Sequence, residues 1–93
     1  MANNLFISYD LYAPNQDYTN LIDEIKSLGD WASVQRSLWY VNSTLSAEEA
    51  AKRLRVKMDS NDSLVVINTV NNEAYWYNLS DEVAKHIQNF WNR

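Results

Sequence analysis

The stretch that most limits how this chain folds is Leu5-Phe6-Ile7-Ser8-Tyr9-Asp10-Leu11. Its side chains alternate: Leu5, Ile7, Tyr9 and Leu11 fall on one face, and Phe6, Ser8 and Asp10 on the other. A period of two belongs to a strand with one buried and one open face. The first set suits a core covered by helices. The other set faces outward from the open side of a sheet and carries a carboxylate at its far end.

The rest of the chain reads as partners for that strand. Residues 12–16 hold the only proline, Pro14, next to Asn15, and read as a turn. Over residues 17–28, Tyr18, Leu21, Ile22, Ile25 and Leu28 recur at helical spacing. Asn15 or Asp17 is placed to cap that helix, and Gly29, the only glycine, stands where a left-handed residue would end it. Residues 31–45 are rich in β-branched and aromatic side chains, long enough for one bent strand or two short ones. A break is expected near Arg36-Ser37 or Asn42-Ser43.

Ser46-Ala47-Glu48-Glu49 is a capping box opening a second helix, with Ala47, Ala50, Ala51, Leu54 and Met58 as its buried stripe. After a turn at residues 59–62, Leu64-Val65-Val66-Ile67 shows no polar alternation, which predicts a central strand covered on both faces. Asn71-Asn72 is a hairpin-type turn into a short strand over residues 74–79. Ser80 then caps a last helix whose apolar face is Val83, Ile87, Phe90 and Trp91.

This order predicts an α+β fold: a ferredoxin-like βαββαβ domain with an added C-terminal strand and helix, spanning residues 1–93 as one unit. Ninety-three residues support only a modest core. Six Tyr, four Trp and two Phe are generous for it, so part of that aromatic area is expected at an interface, and a homodimer would offset the small size. With no cysteine there is no disulfide framework, thiolate nucleophile or cysteine zinc site. No signal peptide is visible and no run approaches the roughly 18 apolar residues of a membrane span, so a cytoplasmic protein without membrane contact is expected. The net charge of −4 weighs against extended, phosphate-driven nucleic-acid binding, while leaving room for a local basic patch or a metal-bridged contact.

Three stretches together carry a family resemblance. Ile7-Ser8-Tyr9-Asp10-Leu11 resembles the hydrophobic strand ending in Tyr-Asp that opens the small CRISPR-associated Cas-two proteins. Val34-Gln35-Arg36-Ser37-Leu38-Trp39 resembles their second-strand signature, and Asp62-Ser63 before Leu64-Val65-Val66-Ile67 resembles their fourth strand. The resemblance covers about residues 5–79. It implies a ferredoxin-like homodimer whose two sheets face each other, with the acid that ends the first strand near the two-fold axis. Some members cut RNA or DNA with a divalent metal, and others act only as a structural hub. The virulence-associated protein D group is similar in fold and includes ribonucleases. This chain differs in having Tyr40-Val41-Asn42 where the family has a glycine, and a helical pattern over residues 80–93 where many members place a crossing strand.

Asp10 is the candidate catalytic and metal-binding residue. Mg2+ or Mn2+ takes few protein carboxylates, and a two-fold axis would bring Asp10 to its symmetry mate. As a plain strand-end acid, Asp10 would instead be solvated. Ser8, Arg36 and Ser37 are the candidate substrate-binding residues, with Gln35 on the same open face; they fit equally as outward strand residues. Arg36 is placed either to grip phosphate or to pair with Asp10. Lys52, Arg53, Arg55 and Lys57 read as a solvated helix face balanced by Glu48 and Glu49. His86 stands alone, without the partner a general base needs. Trp39, Tyr40, Tyr75, Trp76 and Tyr77 are stacking candidates for bases, but strand alternation turns half of them inward. Two functions are therefore expected: a Cas-two-like homodimer handling nucleic acid, or a non-catalytic dimeric module binding a protein or a small nucleotide.

Overall fold

The computed structural model describes residues 2–12 and 18–91. The turn at Pro14 and the capping role of Asn15 or Asp17 lie outside the described residues. The elements run β1 (Asn3–Asp10), α1 (Thr19–Ser27), β2 (Gly29–Gln35), β3 (Leu38–Ser43), α2 (Ala47–Arg55), β4 (Ser63–Asn68), β5 (Glu73–Tyr77) and α3 (Asp81–Phe90). The five strands form one antiparallel sheet in the order β2-β3-β1-β4-β5.

Helices α1 and α2 pack on one face of this sheet and make its core. From β1 come Leu5, Ile7 and Tyr9, from α1 Leu21 and Ile25, from α2 Ala47, Ala50, Ala51 and Leu54, and from the neighbouring strands Trp39, Val41, Leu64 and Val66. Burying each large aliphatic contributes about 1.5–3 kcal/mol. The alanines of α2 let it lie close to the sheet. The alternation read in β1 is realised: its core-facing residues are buried, while Ser8 and Asp10 are exposed.

The predicted capping box is complete. The Ser46 hydroxyl accepts from the Glu49 amide at 3.1 Å, and the Glu49 carboxylate accepts from the Ser46 amide at 3.0 Å. These hydrogen bonds from Ser46, its backbone amide foremost, hold the Glu49 carboxyl below its ordinary value. A lowered carboxyl contributes stability above its unfolded value and loses it as pH falls through its folded one. The melting-temperature gap between wild type and Glu49→Gln is therefore expected at neutral pH and should close in acid, below the carboxylate range.

Two expectations are corrected. Gly29 is not a left-handed cap: its φ is not positive, and it begins β2. A Cβ there would run into the Asn42 carbonyl, so glycine serves close backbone approach between β2 and β3. Gly29→Ala is expected to cost about 1–3 kcal/mol, read by urea unfolding. Strand β4 is not covered on both faces: Leu64 and Val66 are buried, but Val65 is half-buried and Ile67 is 37% exposed, because both helices lie on the other side. Helix α3, whose apolar face the sequence marks, buries none of its residues.

The break at Arg36-Ser37 separates β2 from β3 as expected. Asn72, in the expected hairpin turn, has φ 56°, and Asn78, just past the end of β5, has φ 61°. Short polar side chains such as asparagine tolerate that region.

Candidate functional site

The strand register assembles the site. Strand β1 lies between β3 and β4, with Ser8 opposite Leu38 on one side and Asp10 opposite Ser63 on the other. The Tyr9 amide donates to the Ser37 carbonyl at 3.2 Å. On the core face, the Tyr9 hydroxyl donates to the Arg36 carbonyl at 3.3 Å and accepts from Trp39 Nε1 at 3.2 Å. Tyr9 thus fixes the β2–β3 turn against the end of β1, from beneath. Above it, Ser8, Asp10, Gln35, Arg36, Ser37 and Leu38 line a shallow cleft of about 360 Å³.

All four residues named from the sequence, Ser8, Asp10, Arg36 and Ser37, therefore border one depression. Asp10 and Arg36 are both exposed there, and no ion pair joins them, whereas Lys52–Glu48 and Arg53–Glu24 each pair at 2.7 Å. Arg36 is thus not neutralised by Asp10.

A further acid supports the site and was read from sequence only as part of a turn and of the Asp-Ser match. Asp62 is fully buried. Its Oδ1 accepts from the Tyr12 amide at 2.9 Å, and its Oδ2 accepts from the Asp59 amide at 2.9 Å and the Tyr18 hydroxyl at 3.4 Å. Asn78 Nδ2 donates to the Asp62 carbonyl at 2.7 Å and to the Ser60 carbonyl at 2.6 Å. One side chain therefore ties the chain just past Asp10 to the turn before β4. The signal in sequence is the Asp59–Asp62 spacing, which allows a side chain to accept a nearby amide, but nothing local announces its burial.

Among the described residues no group of three His, Cys, Asp or Glu side chains is placed to hold a metal. The side-chain oxygens at the cleft include the exposed Asp10 carboxylate, the Ser8 and Ser37 hydroxyls and the Gln35 amide, hard oxygens of the type Mg2+ or Mn2+ takes.

The charge distribution is one-sided. Along the open face the register places Asp30 and Asn42, then Tyr40, Phe6, Ile67 and Ala74, then Leu38, Ser8, Val65 and Trp76. The cations of α2 lie with the opposite, helix-covered face: Lys52 is raised above its ordinary value by its hydrogen bond to Glu48, and Arg55 sits 5.4 Å from the Tyr77 ring. The aromatic residues split as alternation required: Trp39, Tyr75 and Tyr77 pack with the core, and Tyr40 and Trp76 face outward. His86 stacks on Phe90 at 4.8 Å along α3. No helix is long and apolar enough to cross a membrane among the described residues.

No family model, no curated protein and no solved structure matches this chain.

Proposed function

We propose that this chain is a ferredoxin-like, Cas-two-like homodimer that handles nucleic acid, with paired Asp10 carboxylates on its two-fold axis forming a centre for metal-dependent cleavage. The observation that carries this reading is convergence. The three stretches that resemble the family are far apart in sequence, yet they meet at one end of β1: Asp10 lies between the Gln35–Ser37 turn and Ser63. The order β2-β3-β1-β4, with α1 and α2 as crossovers on one face, is the one a split βαβ pair produces, and β5 and α3 are then the additions.

The side chains take distinct roles in this reading. The two Asp10 carboxylates would hold Mg2+ or Mn2+. When bound, such an ion neutralises developing phosphate charge and supplies an activated water. Arg36 offers a planar donor pair to a phosphate oxygen, and Ser8 and Ser37 offer hydroxyls to the same strand. The test is cleavage of single- and double-stranded RNA and DNA with Mg2+ or Mn2+, wild type against Asp10→Ala. Cleavage by wild type that Asp10→Ala abolishes supports the reading; no cleavage, or cleavage that survives the substitution, rejects it.

An alternative reading has its own observation. The open face is mainly apolar, and its strands and turn carry Asp10, Asp30 and Arg36 as charged groups, too few cations to track a phosphate backbone. A non-catalytic dimeric module that binds a protein or a small nucleotide through this face accounts for that composition. It predicts a wild-type dimer without cleavage under any metal, and affinity for a protein or nucleotide that Tyr40→Ala weakens.

A further inference from the structure

The indole of Trp76 is used neither by the core nor by the Asp10 cleft. It lies half-buried on the open face of β5, an edge strand. Its neighbours along the strand, Tyr75 and Tyr77, pack against the core and on each other. Among the described residues Trp76 stacks on no other ring and makes no side-chain hydrogen bond. Such a ring is a large apolar surface with one polar handle, suited to a contact that is half dry and half wet.

Helix α3 makes a slot beside that ring. Two shallow depressions of about 220 and 280 Å³ share Ala74, Trp76 and Gln88, and the first is also lined by Ile87 and Trp91. Trp91 is held in place there, its Nε1 donating to the Asn72 carbonyl at 3.1 Å. Gln88 is exposed, and its amide has no hydrogen-bond partner among the described residues. The slot thus offers indole and aliphatic walls and one free amide, which both donates and accepts. Among the described residues that line it there is no charged side chain. A planar heterocycle with a hydrogen-bonding edge meets these walls and this amide; a phosphate does not.

Resting on the nucleic-acid reading above, we infer that Trp76 and Gln88 form a subsite for an unpaired base of the strand whose phosphate lies at the Asp10 cleft. The substrate class is then single-stranded nucleic acid. The register connects the two places. Trp76 is opposite Val65, Val65 opposite Ser8, and Ser8 opposite Leu38, so one straight row runs from the slot to the cleft. Ser8 and Trp76 are two strand spacings apart, about 10 Å. That is the length of about three nucleotides of a stacked strand at about 3.4 Å each. Val65, between them, is apolar and half-buried, a floor for sugars or bases. The scarcity of cations on this face fits as well: stacking on an aromatic ring holds a base without a positive charge. A duplex keeps its base faces stacked inside and cannot present one to Trp76.

Fluorescence anisotropy of a labelled RNA or DNA strand of about ten nucleotides tests this, in EDTA so that no metal-dependent cleavage occurs. Wild type is expected to bind the single strand about tenfold or more tighter than a duplex of the same sequence, and Trp76→Ala to lose about tenfold or more of that binding. Trp76→Phe should lose much less, and Gln88→Ala, at an exposed position, about threefold. Circular dichroism checks that each variant folds; should Trp76→Ala unfold, Gln88→Ala and the preference for single strands decide. A folded Trp76→Ala that binds like wild type, a duplex bound as tightly as a single strand, or a wild type that binds neither overturns the subsite. Cleavage with metal, wild type against Asp10→Ala, is read separately, so the catalytic reading can stand where the subsite falls, and the subsite where cleavage is absent.

Discussion

Asp10→Ala is expected to lower Mg2+- or Mn2+-dependent cleavage by about 10²–10³-fold, the usual loss when a group that stabilises transition-state charge is removed. Stability should move by less than about 0.5 kcal/mol, as for other exposed positions outside caps and networks. The reason lies in the strand: the backbone of Asp10 is held by pairing with Ser63, and its side chain is exposed. The change therefore separates chemistry from folding. Asp10→Asn sharpens the result, because the amide keeps the shape and removes the charge a metal needs. Arg36→Lys should give a smaller loss, since an ammonium keeps the charge but not the paired donors.

The other large effect falls on stability. Asp62→Ala is expected to cost about 3–4 kcal/mol, because it removes the shared acceptor of three hydrogen bonds, each worth about 1 kcal/mol, and empties a fully buried position. In a domain of this size each kcal/mol moves the melting temperature by about 4–8 °C, so a drop of about 12 °C or more should be seen by calorimetry. Asp62→Asn should cost less, since one amide oxygen still accepts from Tyr12 or Asp59. The variant has a local signature as well. Asp62 anchors the chain just past Asp10, so amide exchange at Tyr12 and Asp59 should rise before exchange at Ile7 or Val66 in the sheet centre.

Local chemistry made much of the fold legible. Alternation in β1 named its buried face, the capping box named the start of α2, and Arg36-Ser37 marked the β2–β3 turn. The misreadings share a physical origin: they concern what a residue meets at long range. Glycine is needed both for left-handed backbone and for close approach, and only the position of the Asn42 carbonyl shows which need Gly29 serves. Val65 and Ile67 look like core in sequence because apolarity reports a water-averse surface, not which molecule covers it. At the site, the residue types were readable, but the register that brings Ser37 to Tyr9 and Ser63 to Asp10 is a property of the assembled sheet. Asp62 was the least readable, since its donors Tyr12 and Tyr18 lie at the far end of the chain.

The proposed metal centre exists only if two Asp10 side chains meet. The absence of cysteine makes this directly measurable. Asp10→Cys, treated with a short bifunctional thiol reagent and resolved under denaturing conditions, should convert most of the chain to a covalent dimer, while Lys57→Cys on the opposite side should not. A protein that sediments as a dimer yet gives no cross-link through Asp10→Cys would contradict the paired-carboxylate centre.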